Sequence, residues 1–152
     1  MGNRAVLVWT DSEGKYTEDS IGAYLHWNGG RDSVEAFLAY CEMCGFRSPS
    51  ESDYGIARLA QVIGNFFGGN GLSIGIGPIR TLDTDNGDNG MYVCTGWNIV
   101  DRKHFNGAEQ ANYSFREMVA AVNEEQPDSL RIEPEKLDSL IREYEERFAD
   151  RS

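Results

Sequence analysis

Short runs of strand-forming residues, separated by polar turns, open the chain and return in its middle. Residues 5–9 and 21–27 are two such runs, and the polar turn between them predicts an opening β-hairpin. Three further runs predict the rest of the sheet: residues 72–79, 91–95 and 97–100. In the acidic loop at 83–90, Asn86-Gly87 predicts a tight hairpin turn, and Gly96 predicts a bulge.

A first helix is predicted after the opening hairpin. Asp32 as N-cap and Glu35 three residues later form a capping-box pattern, and Gly45 is a natural C-terminal stop. Cys41 and Cys44 have the CxxC spacing of zinc and dithiol sites. Both fall on the apolar face of this helix, where cysteine behaves as a small hydrophobe. The pair therefore predicts core packing, with a metal or redox site as the alternative.

A second helix is predicted to follow Ser52 or Asp53 as its N-cap and to end at residues 68–69. It contains Gly55 and Gly64, each of which costs about 1 kcal/mol relative to alanine in a helix interior. Two such residues in one helix indicate either close packing at those positions or a misplaced boundary.

Two more helices are predicted in the last third of the chain. Ser114 and Glu117 form a second capping-box pattern, which opens a helix through Val122. Pro134 is at a favourable first helical position. The apolar face of this last helix comprises Leu137, Leu140, Ile141, Tyr144 and Phe148.

The order of these elements predicts an α+β fold. We expect a mainly antiparallel sheet of four or five strands with helices packed on one side, plus a C-terminal helix. Residues 1–125 are expected to form a single domain, and residues 126–152 an acidic helical extension.

The chain of 152 residues carries 25 acidic against 14 basic residues, for a formal net charge of -11. Such a charge argues against direct binding to nucleic acid, which relies on lysine and arginine. It leaves a basic protein surface or a small ligand as partners. We also expect neither a signal peptide nor a membrane span. Three cysteines are too few for a disulfide framework, so a cytoplasmic location is expected.

Motifs for metals and cofactors fit poorly. The acidic loop at 83–90 departs from the EF-hand pattern at three positions. Gly75 and Gly77 begin like a dinucleotide fingerprint but lack its third glycine and the helix that should follow. The sequence therefore predicts no metal and no cofactor. A catalytic histidine needs a partner nucleophile or an orienting carboxylate, a geometry that sequence does not show. His26 and His104 are therefore expected to be structural or surface residues, and no catalytic residue is predicted.

The loop before the first helix is the best candidate for a ligand site. It comprises His26, Trp27, Asn28, Gly29, Gly30 and Arg31. Two glycines ahead of a helix can expose amides to an anion, Arg31 could clamp a phosphate or carboxylate, and Trp27 could stack on a base. Asp32 argues against this site because a capping carboxylate occupies the same positive helix end. The alternative is a tight structural turn with Trp27 in the core.

Acidic residues concentrate at the end of the chain. Residues 124–152 hold ten acidic and five basic residues. We expect Glu143, Glu145 and Glu146 to form a surface that competes with nucleic acid for a basic cleft of another protein. The alternative is a solvated helix face with internal pairs such as Glu143 with Arg147.

Three segments together resemble a group of small uncharacterised proteins carried by bacterial phages and mobile elements. They are residues 2–6 (GNRAV), 24–38 (YLHWNGGRDSVEAFL) and 63–69 (IGNFFGG). The resemblance implies a setting, an accessory protein in the cytoplasm of a bacterial host cell, and no catalytic or ligand-binding role for any residue.

In that setting we expect a non-enzymatic counter-defence inhibitor that binds a host protein, such as a defence nuclease, through its acidic surface. A binder that sequesters a small anionic, nucleotide-like ligand at residues 26–31 is the first alternative. An enzyme is the second.

Overall fold

The computed structural model describes residues 3–69 and 73–150. The predicted α+β fold and the order of its elements are confirmed. The elements are β1 (Ala5–Trp9), β2 (Ile21–Leu25), α1 (Arg31–Met43), α2 (Asp53–Phe66), β3 (Ile74–Pro78), β4 (Met91–Thr95), β5 (Asn98–Lys103), α3 (Phe115–Glu124) and α4 (Pro134–Ala149). Leu72, where the third strand was expected to begin, and residues 151–152 of the expected extension lie outside the described residues.

The five strands form one mixed sheet in the order β3-β2-β1-β4-β5. The opening hairpin of β1 and β2 is confirmed, and the β2–β3 and β4–β5 pairs are also antiparallel. The β1–β4 pair is parallel, and the chain between these two strands passes through β2, two α-helices and β3, which is long enough for the crossover that a parallel pair needs. The sheet is therefore mainly antiparallel, as predicted.

Two local predictions about turns are wrong. The Asn86-Gly87 hairpin does not form, because β2 and β1 lie between β3 and β4, and the loop at 83–90 has to cross the sheet. Gly96 is not a bulge either. It lies in the turn between β4 and β5 with φ of 63°, and the irregularity in this pair falls between Val93 and Cys94.

Alternation along β1 places side chains on both faces of the sheet. Ala5, Leu7 and Trp9 pack in the main core, to which all four described helices contribute. Val6 and Val8 face the opposite side, in a smaller cluster whose remaining members come from other strands, from loops and from a short 3₁₀ turn at Ile79–Thr81. The four described α-helices therefore pack on one side of the sheet, as predicted.

The predicted C-terminal helix is confirmed as α4. Its Leu137, Ile141 and Tyr144 side chains are buried in the same core as α1, α2 and α3. The connection before it is held by a buried amide: the Asn123 side chain accepts from the amide of Ile132 and donates to the carbonyl of the same residue. Within the described residues, α4 is thus packed against the rest of the molecule.

The start of α1 differs from the prediction. Its N-cap is Gly30, with no side-chain capping bond, and Asp32 lies inside the first turn. The predicted capping box of Asp32 and Glu35 is therefore wrong. The predicted caps of α2 and α3 are confirmed: Ser52 caps α2, and Ser114 and Glu117 form the capping box of α3.

No helix in the described ranges is long and apolar enough to cross a membrane.

Candidate functional site

The first part of the candidate loop is accessible and aromatic. The Trp27 side chain is 47% exposed, whereas Trp9 and Trp97 are buried in the core. The His26 ring lies edge-on to Trp27, with 4.7 Å between the ring centroids. His26 Nδ1 is 2.9 Å from the hydroxyl of Tyr24. These three side chains could contact a planar or apolar group on a ligand or a partner.

The two glycines of this loop are used in packing. The amide of Gly29 donates to the carbonyl of Asn3 at 2.9 Å, and its own carbonyl accepts from the Tyr92 hydroxyl at 2.7 Å. A Cβ atom on Gly29 would lie only 2.6 Å from the Asn3 oxygen, and one on Gly30 would collide with the carbonyl of Gln110. Both glycines are therefore explained by close backbone approach.

The last part of the loop lies on α1 and pairs within it. Arg31 Nε is 3.3 Å from Glu35 Oε1, one turn further along the helix. Burial, and next the nearby Glu35 and Glu109 carboxylates, raise the pKa of Asp32. The structure therefore separates the six candidate residues. His26 and Trp27 face solvent, the glycines are packed, and Arg31 is ion-paired. Asn28 is half-buried in a left-handed backbone conformation, with φ of 59°.

The three glutamates predicted as a protein-binding surface also have different environments. Glu145 is held by Arg116, with oxygen–nitrogen distances of 2.7 and 3.2 Å. The same guanidinium binds Asp138 at 2.6 Å, and these two carboxylates raise the pKa of Arg116. Glu145 is thus locked onto α3, while Glu143 and Glu146 are exposed.

The expected pair of Glu143 with Arg147 does not form. Arg147 instead approaches Glu42 of α1, at 3.6 Å. Arg142 likewise pairs with Asp138 rather than with a neighbouring glutamate, at 2.9 Å. Arg147 therefore reaches toward α1, whereas Arg142 is bound within α4 itself, to the carboxylate that Arg116 also holds.

The result is a row of carboxylates on the outer side of α4, unpaired among the described residues, which we call the acidic ridge. It comprises Glu135, Glu143, Glu146 and Asp150, all exposed. Helical geometry places these four positions on the side opposite the buried Leu137, Ile141 and Tyr144. Within residues 3–69 and 73–150, none of the four forms an ion pair.

Sequence reasoning missed Glu135 and Asp150 as members of this surface, although their spacing on the polar side of the predicted helix was a usable signal. It also missed Arg116, because no local pattern shows that a residue of α3 neutralises Glu145.

A second polar cluster that the sequence did not predict lies beside Gly29. The guanidinium of Arg102 stacks between the rings of Tyr92 and Phe105, 4.5 and 3.6 Å from their centroids. It also donates to the carbonyl of the fully buried Asn89 at 3.1 Å and to Glu109 at 2.9 Å. These contacts satisfy the cation, so the cluster holds loops against the sheet.

The cysteines lack the features of a reactive or metal-binding site. Cys41 and Cys94 are fully buried and Cys44 is half-buried. Burial raises the pKa of all three thiols, which keeps them protonated at neutral pH. In the described part of the chain, no group of three or more His, Cys, Asp or Glu side chains is arranged to hold a metal ion.

The two histidines have different surroundings. The hydrogen bonds of the described residues join His26 to the Tyr24 hydroxyl and give His104 none. His104 is exposed, with φ of 58°. Among the described residues, the side chain bonded to a histidine ring is therefore the Tyr24 phenol, and no serine, cysteine or threonine is hydrogen-bonded to either ring.

Comparisons with protein families, curated proteins and solved structures gave no match to this chain, so its surface chemistry has to indicate its function.

Proposed function

We propose that the protein is a non-enzymatic binding protein whose acidic ridge docks onto a basic surface of another protein. The observation that carries this proposal is the ridge itself: four exposed carboxylates on one side of α4, none ion-paired among the described residues. Concentrated charge of one sign steers a partner of opposite sign and selects against acidic surfaces.

The ridge is presented on a fixed support. The opposite face of α4 is buried in the core through Leu137, Ile141 and Tyr144, and Arg116 holds its flank through Asp138 and Glu145. Because the helix is already packed before binding, little ordering entropy opposes association. The paired Glu145 supports the helix, and the ridge residues face the partner.

The partner that fits this chemistry is a protein with a basic cleft, such as a nuclease that holds nucleic acid there. The net charge of -11 supports a partner of opposite charge. The resemblance of the chain to phage-borne proteins supports a host defence protein as that partner, and a counter-defence inhibitor as the role. A non-enzymatic mode is supported by the hydrogen bonds of the described residues, in which no serine, cysteine or threonine is bonded to His26 or His104.

The test reverses the charge of two ridge residues and leaves unchanged the residues that hold α4 in place. The double variant Glu143→Lys/Glu146→Lys changes two exposed residues and leaves the Glu145–Arg116 pair intact. The host partner is first recovered from bacterial lysate with the wild-type chain and then purified. We expect this partner to bind the variant at least about tenfold more weakly than it binds the wild type. Wild-type affinity should also fall as salt is raised.

The matched control is Glu13→Lys/Glu51→Lys, which makes the same change in net charge at two exposed positions away from α4. It should retain most of the wild-type affinity if the ridge is the docking surface. If the ridge variant and the wild type bind the partner with equal affinity, the proposal is refuted. If both double variants lose the same affinity, binding depends on the net charge of the protein, and the ridge is not the docking surface.

A further inference from the structure

The edge strand β3 has hydrogen-bonding groups that β2 does not use. Within residues 3–69 and 73–150, β2 is its one strand neighbour. The amide of His26 donates to the carbonyl of Ser73 at 2.9 Å, and the amide of Ile79 donates to that of Ser20 at 3.1 Å. Hydrogen-bonded and non-hydrogen-bonded residue pairs alternate along two antiparallel strands. These two bonds therefore fix the phase of the alternation, that is, which residue pairs of β2 and β3 are the bonded ones.

That phase determines which residues of β3 face outward. Gly75 lies opposite Tyr24 and Gly77 opposite Gly22, in the bonded positions. The N–H and C=O groups of Ile74 and Ile76 therefore point away from β2, toward the open side of the sheet.

This pattern is self-complementary. A two-fold axis at Gly75 places Ile74 of one copy opposite Ile76 of the other, and each such pair exchanges two N–H···O=C bonds. Four bonds then use every outward N–H and C=O group of these two residues in both copies. We propose that two copies of this chain associate through antiparallel pairing of their β3 edges, which joins the two sheets into one.

The apolar surface beside this edge supports the same partner. Ile76 is 48% exposed, and Ile21 on the neighbouring strand is 37% exposed. Pairing covers Ile76 with Ile74 of the second copy, since residues directly opposite on adjacent strands are in side-chain contact.

The two edges of the sheet differ in how they are protected. β5 carries charged residues, including an Asp101–Lys103 ion pair at 3.1 Å, and charged side chains are a common defence against strand pairing. β3 has the sequence IGIGP, with no charged residue and with Pro78 at its end. Because Pro78 lacks an N–H, the bonding edge is truncated there, and the register centred on Gly75 is the one that uses both N–H and both C=O groups of Ile74 and Ile76.

The first experiment is sedimentation velocity of the wild-type chain from low-micromolar to near-millimolar concentration. We expect a monomer–dimer equilibrium. Ile76→Lys should raise its dissociation constant at least about tenfold, because two charges would enter the interface. The control is Val100→Lys on β5, where the original side chain is 58% exposed and which should leave the equilibrium unchanged.

A wild-type chain that stays monomeric throughout this range overturns the proposal. A dimer that Ile76→Lys does not weaken, or that Val100→Lys weakens equally, overturns it too.

A second experiment tests the register. Gly75 would face its own copy in a non-hydrogen-bonded pair, with about 4.5 Å between Cα atoms, which is within disulfide range. An ideal Cβ at Gly75 has no atom closer than the Tyr24 Cβ at 3.8 Å, so cysteine fits. In a Cys44→Ser background, Gly75→Cys should form a covalent dimer under mild oxidation.

Ile76→Cys is the matched comparison. The two Ile76 positions are diagonal neighbours in this register, about 7–8 Å apart, which is too far for a disulfide. A covalent dimer from Ile76→Cys but not from Gly75→Cys would overturn the proposed register, and a dimer from neither would overturn the pairing.

Discussion

At the scale of single residues, the two glycines of α2 have opposite surroundings. A Cβ on Gly55 would overlap the backbone of Ser48 and Pro49, whereas a Cβ on Gly64 would meet nothing within 4 Å. Gly55 is therefore required by the close approach of the preceding loop. Gly64 has no such requirement and retains only the conformational cost of glycine in a helix.

The same substitution should consequently have opposite effects at these two sites. Gly55→Ala should lower the free energy of unfolding by about 1–3 kcal/mol, because the loop has to shift. Gly64→Ala should raise it by up to about 1 kcal/mol, because alanine is the better helix former. Urea unfolding of both variants measures the difference, and a shift in the same direction for both would contradict the packing at Gly55.

At the scale of elements, the helix starts show what a local pattern can predict. The capping box of α3 joins residues three positions apart, so the sequence contains all of it. The start of α1 is set by Gly30 against the backbone of Gln110, a residue far along the chain. No local pattern contains that contact, and the apparent capping box at Asp32 was misleading.

The carboxylates in these two helix starts should respond to pH in opposite ways. Hydrogen bonding, first from the Ser114 amide, lowers the pKa of Glu117 below its ordinary value of 4.5. A lowered pKa in the folded state stabilises the protein above the unfolded value, and the contribution is lost as pH falls through the folded value. Glu117→Gln should therefore lower the free energy of unfolding at pH 7 and change it less near pH 3.

Asp32→Asn is the counterpart. The pKa of Asp32 is raised, chiefly by burial, so the charged form of this carboxyl is disfavoured in the folded state. The substitution should not lower the free energy of unfolding at neutral pH. Any increase in that free energy should shrink as pH falls, because Asp32 itself then becomes protonated. Denaturant titrations at both pH values check the two variants, and a loss at pH 7 for Asp32→Asn as large as that for Glu117→Gln would contradict the assignment.

Strand pairing and exposure were harder to predict than the elements themselves. Short runs of strand-forming residues identify the strands, but they do not show that β4 pairs with β1 and β3 with β2. The sequence likewise could not show that Trp27 is exposed while Trp9 and Trp97 are buried. Both properties depend on which distant segments cover a residue.

At the scale of the whole molecule, α4 is integrated with the domain through its core residues and through the 126–133 connection. Gln126 is 1% exposed, its side-chain amide donates to the carbonyl of Val62 at 3.0 Å, and it accepts from Asn65 at 2.9 Å. The connection is therefore bound to α2 as well as to α3.

Hydrogen exchange should show this integration. We expect the central amides of α4, around Ile141, to exchange as slowly as those of α3, because both helices bury residues in one core. Exchange of α4 that is faster by several orders of magnitude, while α3 stays protected, would instead support a separately unfolding extension after residue 125.

The parallel pairing of β1 with β4 also has a consequence for synthesis of the chain. β1 is the central strand, yet its neighbour on one side is β4, and the hydrogen bond between Thr10 and Thr95 spans 85 positions. A nascent chain on the ribosome therefore holds β1 with one edge open until residue 95 has emerged. Contacts so distant in sequence form late. Until β4 is available, the open edge of β1 can pair with the wrong strand.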